Sequence, residues 1–344
     1  MYVDPSGLGD ARGIGRFTRG LLAALAEEVE LRYGLPSSYA PAEAGALGHG
    51  APGRVRALFK TALRHLDMRS AMRQADVALF PSIHWAPRRL PRPSVVVVHD
   101  VIPLLFPEKF DPGPWRGRLR AIAHRADAVA AVSEPAADDI ARELGLPREK
   151  IAVIGQGVEV LPEDPSYPVP RRPYAVTIGY ADPHKNTETL LLAFRRLRRE
   201  GADIRLFVVG RDDLRPRAET LRLEDSVVFL GRMGDEALGS LLRHADLFLW
   251  PSLYEGFGLP PLEAIALGTP VIASYRPAMT TLLRGKAVFV EPLDSAAWAE
   301  AIREALADRT RLIRLTEKAR AEVLEMTWAK VVEALLRLFE RLVG

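Results

Sequence analysis

Two hydrophobic patterns alternate along this chain. Short continuous apolar runs occupy Asp76–Pro81, Ser94–Val98, Ala126–Ser133 and Ile151–Ile154. They return at Tyr174–Gly179, Ile204–Gly210, Val227–Leu230, Asp246–Trp250 and Pro270–Ala273. Runs of this length without polar alternation predict strands covered on both faces, the pattern of a parallel sheet. Between the runs, apolar residues fall three and four apart. Phe17, Leu21, Leu22 and Leu25 do so after Gly15, and Glu134–Leu144, Thr189–Leu197 and Asp235–His244 follow suit. A final helix over Trp328–Leu342 presents Val331, Val332, Leu335, Leu336, Phe339 and Leu342. That spacing predicts helices with one buried face. The strand–helix alternation occurs twice, separated by residues 160–173, which hold five prolines and few apolar residues. The pattern reads as two α/β domains of βαβ units joined by a linker. A length of 344 residues, too long for one ordinary core, agrees.

Composition narrows the function classes. Hydrophobic content of 48% with 26% charged residues is that of a soluble globular protein. There is no cysteine, and the seven histidines are scattered without a pair at helical ligand spacing, so no metal site and no cofactor is expected. The start, MYVDPSGLGD, lacks the basic flank and apolar core of a signal peptide, and no apolar run approaches the roughly 20 residues of a membrane span. The expected location is cytoplasmic.

Charge adds one feature. The net charge is only +3, but between Gly53 and Gln74 six cations (Arg54, Arg56, Lys60, Arg64, Arg69, Arg73) face Asp67 alone. Val55, Leu58, Phe59, Ala62, Leu63 and Leu66 form a stripe with Arg56, Lys60 and Arg64 off it, the outline of an amphipathic basic helix. It fits weak peripheral contact with an anionic membrane at its inner face. It fits equally a helix packed on the first domain, and the absence of Trp favours that. Few aromatics accompany the cations, which argues against nucleic acid.

The candidate chemistry centres on residues 251–263, PSLYEGFGLPPLE. A buried strand ends at Pro251, and two prolines open a helix with Glu263 in its first turn. The amides of Phe257, Gly258 and Leu259 lead into that helix N-terminus, where backbone donors and the dipole favour an anion. Gly256 and Gly258 leave room for a ligand against the main chain, and Glu255 and Glu263 flank the site. This suits a ligand with phosphate in the middle and hydroxyls at both ends, a nucleotide-sugar. Gly13-Ile14-Gly15-Arg16 opens the first helix in a similar way. His99-Asp100 falls at the carboxyl end of a strand, where open α/β sheets bind ligands. Lys185, in His184-Lys185-Asn186, is placed to neutralise charge on a departing diphosphate.

Together these residues resemble the retaining glycosyltransferases of family 4. The resemblance rests on Glu255 and Glu263 around G-F-G-L-P, on the G-I-G-R-F start, on the His-Asp pair and on the Lys-Asn element. It covers most of the chain and is densest from 174 to 292. It implies the GT-B fold, two Rossmann-like domains facing a cleft, with a last helix crossing back to the first domain. The domains would be 1–165 for the acceptor, 166–326 for the nucleotide-sugar, and 327–344 as the returning helix.

The implied activity is metal-independent, retaining transfer of a hexose from a nucleotide-diphospho-sugar, with GDP-mannose as donor. The acceptor would be a glycan, lipid-linked or small-molecule hydroxyl. Carried over, Glu263 binds ribose, Glu255 contacts the transferred sugar, and His99 touches the sugar or steers the acceptor. Phe257, Gly258 and Leu259 bind sugar and diphosphate, and Arg232 and Met233 hold the base. Gly13, Gly15, Arg16, Asp100, Gly179, Tyr180, His184 and Asn186 complete the substrate contacts. The family often has an arginine directly after the strand glycine, where this chain has Tyr180, so the cation assisting Lys185 is left open between Arg16 and His184. Two other readings stand beside this one: a phosphorylase or epimerase on the same fold, and a non-catalytic nucleotide-sugar-binding partner.

Overall fold

In the computed structural model the chain divides into two compact units, Met1–Gly157 with Met326–Gly344, and Val158–Glu325. The structure describes residues 1–4, 8, 13–28, 32–33 and 75–343; the loop expected over 34–53 and the basic helix expected over 54–73 lie outside them.

Among the described residues the first unit holds six parallel strands: β1 (Tyr2–Val3), β2 (Arg32–Tyr33), β3 (Ala78–Phe80), β4 (Ser94–Val98), β5 (Ala128–Ala131) and β6 (Ile151–Val153). Their order is β2-β1-β3-β4-β5-β6, so the progression reverses between β1 and β3. The four consecutive valines of β4 are fully buried, as an interior parallel strand requires. The run expected at 126–133 shortens because its ends have other work. Ser133 Oγ accepts from the Ala136 amide (3.2 Å) and caps the helix Glu134–Leu144, which Gly145 closes in the left-handed region (φ 64°).

The last helix, Trp328–Val343, packs on Gly13–Glu28 within this unit. The Trp328 indole lies where side chains on Gly20 and Gly157 would stand: a Cβ on either would fall 2.1 or 2.4 Å from it. The buried face is Val331, Val332, Leu335, Leu338 and Phe339. Leu338 takes the place expected of Leu336, which is half-buried along with Leu342.

The second unit has β7 (Tyr174–Ile178), β8 (Arg205–Val209), β9 (Val227–Gly231), β10 (Leu247–Trp250), β11 (Val271–Ser274) and β12 (Val288–Val290). All are parallel, in the order β12-β11-β10-β7-β8-β9, with the reversal between β7 and β10. One face packs Leu190, Leu191, Phe194 and Leu197 of the helix Thr187–Arg199 with Trp298 and Ile302 of the helix Ser295–Ala307. That second helix, β12 and the helix Arg309–Leu324 extend beyond the elements expected from the sequence.

The proline-rich stretch 160–173 does not hang as a free linker. Leu161 is buried, Ser240 Oγ accepts from the Asp164 amide (2.8 Å) and donates to its carbonyl (3.0 Å), and Gly239 leaves room for the Pro162 carbonyl.

Both units tie two strand starts together with the same device. Arg92 precedes β4 and pairs with Asp127, whose other oxygen accepts from the Ser94 amide at 2.9 Å. Arg172 precedes β7 and pairs with Asp246, whose other oxygen accepts from the Tyr174 amide at 2.9 Å. Each aspartate lies just before the strand that follows and ties two strand starts together.

Candidate functional site

The site grows from the reversal between β7 and β10, the point at which open α/β sheets take ligands at their carboxyl ends. Lys185 follows β7 and Glu255 follows β10. The ammonium Nζ and Glu255 Oε1 lie 2.8 Å apart, and both side chains are 12% exposed. Ser252 Oγ donates to the same oxygen at 2.6 Å, and Ser274 Oγ in turn donates to the Ser252 carbonyl. Nζ also sits 4.6 Å from the centroid of a Trp250 ring, a cation–π contact. A charge this far from water is held by a carboxylate on one side and an aromatic face on the other.

The segment bearing Lys185 is laced to its neighbours. Asn186 adopts a left-handed conformation (φ 51°). Its Nδ2 donates to the carbonyls of Pro251 (3.0 Å) and Pro292 (2.7 Å), and its Oδ1 accepts from Thr189 Oγ1 (2.7 Å). The Leu253 amide donates to the carbonyl of buried His184 at 2.7 Å. Asn186 and His184 therefore hold the β7 loop against the β10 loop.

Gly179 has a steric reason to be glycine, since a Cβ there would meet Thr187 Oγ1 at 2.2 Å. Tyr180, next in line, carries Arg211 over its ring, with the guanidinium carbon 4.4 Å from the centroid. Arg211 pairs with Asp182 (3.0 Å) and Asp213 (3.1 Å), and Asp213 also accepts from the Ala181 amide (2.9 Å). Burial lowers the Arg211 pKa, but the two carboxylates outweigh it and hold the guanidinium above its ordinary value. Arg211 was not among the residues expected; the signal was its position at the end of an apolar strand run, directly after Gly210.

The helix Leu259–Ala266 begins at Leu259, one residue before the two prolines, with Gly258 at φ 101° preceding it. Pro260 and Pro261 carry no N–H, so the donors of this helix start are the Gly258 and Leu259 amides, with Phe257 buried just before. Glu263 is 2% exposed, so its carboxylate is buried in the first turns of this helix. Arg232 and Met233 lie beyond β9, exposed and half-buried respectively.

In the first unit, His99 follows β4. Its Nε2 lies 2.8 Å from the Pro81 carbonyl, an acceptor only, which puts a proton on Nε2. Phe17 presents its ring edge-on to the imidazole at 4.6 Å and to Trp328 at 5.5 Å, so the first and last helices jointly fix the histidine. Asp100 Oδ1 accepts from the Ile102 amide (2.9 Å) and turns the chain into the short helix Ile102–Leu105. Gly13 is exposed, Gly15 is buried and Arg16 is half-buried. Among the described residues no group of His, Asp and Glu is placed to hold a metal ion, and no helix is long and apolar enough to cross a membrane.

Two family models match the chain: "Glycosyltransferase Family 4" over residues 11–160 and "Glycosyl transferases group 1" over residues 164–322. The chain belongs to glycosyltransferase family 4. Among its relatives, the O-antigen chain mannosyltransferase RfbU of Salmonella typhimurium is 32% identical over 217 residues, 62% of this chain and 60% of that protein. The O-antigen chain mannosyltransferase B of Escherichia coli is 28% identical, with 92% of each chain covered. The serotype-specific mannosyltransferase WbdA of Escherichia coli matches over only 34% of its length. The chain thus spans less than two thirds of several of these relatives. In fold it is similar to Anabaena HepE, solved in complex with UDP and glucose, with a TM-score of 0.76, 19% identity and 99% of each chain covered. Sucrose-phosphate synthase from Thermosynechococcus elongatus gives a TM-score of 0.75 at 21% identity, covering 99% of this chain and 98% of that one. These likenesses establish the GT-B fold.

Proposed function

We propose that this protein transfers a hexosyl group, mannose carried on GDP, from a nucleotide-diphospho-sugar to an acceptor hydroxyl, with retention and without a metal. The acceptor is a glycan, a lipid-linked or a small molecule. The observation that carries the reading is the Lys185–Glu255 pair at the strand-order reversal of the second unit, next to a helix start whose remaining amide donors crowd at Gly258 and Leu259. The mannosyltransferase relatives support the choice of sugar.

In this reading the diphosphate meets the Gly258 and Leu259 amides and Lys185, whose charge offsets that of the leaving group as the anomeric bond breaks. Glu263, buried on the same helix, accepts from the ribose hydroxyls, and Arg232 and Met233 hold the base. Glu255 is held through Oε1 by both Lys185 and Ser252. It orients the sugar, and the leaving phosphate oxygen takes the acceptor proton on the face it departs from. His99, with Gly13, Gly15, Arg16 and Asp100, serves the acceptor side in the first unit.

Kinetics on a panel of UDP-, GDP-, ADP- and dTDP-sugars tests this directly. Lys185→Ala should lower kcat by about 10²–10³ with a smaller change in donor affinity, because the charge it meets grows in the transition state. Glu263→Gln should chiefly weaken donor binding, and Glu255→Gln chiefly lower kcat. A Lys185→Ala enzyme with wild-type kcat would remove Lys185 from the reaction. EDTA should leave turnover intact; loss on chelation with recovery on adding Mg²⁺ would overturn the metal-free mechanism.

A further inference from the structure

The parallel sheet of the first unit has a second functional-looking edge, opposite to the one bearing His99. Residues just before β4, β5 and β6 surround an open cavity of about 680 Å³: Arg89, Leu90 and Arg92; His124, Arg125, Ala126 and Asp127; and Lys150. Four cations and a histidine there face a single carboxylate. That carboxylate is already committed, accepting from Arg92 Nε (2.9 Å) and from the Ser94 amide (2.9 Å).

The strand-start device of the second unit shows what a purely structural version looks like. The Asp246 side chain is 1% exposed and takes both Arg172 and Arg309 on Oδ1, so the charges close on one another. At Asp127 the corresponding place is open. Arg92 is 79% exposed, while Arg89 and Arg125 stand exposed around it. Helix capping explains part of this group: Lys150 Nζ donates to the His124 carbonyl at 2.7 Å, at the end of the helix Pro112–Arg125. Arg125 Nη1 also donates to the Arg88 carbonyl at 2.9 Å, yet Arg89, Arg92 and Arg125 still line one opening with their charges exposed. Burial lowers the pKa of Lys150, and the charge of Arg92 adds to that effect against the pull of Asp127. A multiply charged anion would relieve both.

We propose that this cavity is a binding site for a phosphomonoester or diphosphate group, separate from the sugar-transfer site. Guanidinium forks match phosphate oxygens two at a time, and four cations against one carboxylate suit an anion with more than one charge. The volume lies within the range of small-ligand sites. The phosphate can come from a soluble metabolite or from the headgroup of an anionic lipid.

The test uses the full chain, labelled with ¹⁵N and titrated with inorganic pyrophosphate at low and high salt. The amides of residues 89–92 and 124–127 should shift in a saturable, salt-sensitive manner. The double variant Arg89→Gln/Arg125→Gln, which leaves the Arg92–Asp127 pair intact, should weaken that binding at least about tenfold, since it removes two charged donors to the anion. Lys185→Ala should leave these shifts unchanged, which separates this site from the transferase reading. Cosedimentation with phosphatidate vesicles but not phosphatidylcholine vesicles, lost in the double variant and competed by pyrophosphate, identifies a lipid source. Pyrophosphate binding without vesicle binding identifies a soluble one. No shift at residues 89–92 and 124–127, or shifts unchanged in the double variant, would overturn the proposal.

Discussion

At the scale of single residues, exposure and partners separate groups that look alike in the sequence. Glu255 and Glu263 are both glutamates beside a Gly-rich turn, yet one is largely buried in a loop, paired with Lys185, and the other is fully buried in a helix. Arg211 belongs at this scale too. Its side chain is 45% exposed, so its ion pairs add little to stability, about 0–1 kcal/mol. Its stacking on Tyr180 and its bonds to Asp182 and Asp213 do more, because they fix the loop leading to Lys185. Arg211→Ala should therefore lower kcat/KM about ten- to a hundredfold through misplacement of that loop, with little change in Tm. Arg211→Lys should recover only part, since an ammonium cannot reproduce the stacked fork. A fall in Tm with unchanged kcat/KM would reduce Arg211 to a stabilising surface residue.

At the scale of elements, the helix Leu259–Ala266 depends on Gly258. Its φ of 101° is one that side chains rarely adopt, and a Cβ there would lie 2.4 Å from Met279 Cε. Gly258→Ala should cost about 1–3 kcal/mol in a denaturant titration, because the backbone strain remains even after the methionine moves aside. Adding Met279→Ala separates the two causes: recovery in the double variant would assign the cost to the contact and not to the backbone. Elements with strong local signals matched their expected bounds. The helix Glu134–Leu144 lies between a serine cap and a left-handed glycine, each directly adjacent to one of its ends. Leu338 was not expected on the last helix because the choice between it and Leu336 depends on which neighbour the helix meets, and spacing alone does not say.

For the molecule as a whole, the chain leaves its first unit at Gly157 and returns to it at Met326. Trp328 fastens that return, its indole filling the space over Gly20 and Gly157 and touching the edge of Phe17, which in turn touches His99. Gly20→Ala sets a methyl against the indole and should destabilise the first unit by about 1–3 kcal/mol, the usual range for overpacking. Trp328→Ala destabilises for the opposite reason, by leaving a void. Combining them should cost less than the sum of the two, a coupling that a double-mutant cycle reads directly. Strict additivity would mean that the two residues do not share the space the structure gives them.

The sequence alone determined the two βαβ domains, the parallel character of their sheets and the strand-end placement of Lys185, Glu255 and His99, because continuous apolar runs, caps and prolines act on near neighbours. The tertiary structure decided what those residues meet. Lys185 and Glu255 are 70 positions apart, and they pair only because β10 lies beside β7 in the strand order, a choice made by burial across the whole sheet. Arg211 reaches Tyr180 for a similar reason, from the strand on the other side of β7. The paired Arg–Asp ties at strand starts in the two units recur as Ala-Asp before β5 and before β10, but only the fold gives each aspartate its arginine and the amide of a distant strand. Long-range charge pairing needs the order of strands, and the order of strands is not written in any local stretch of the chain.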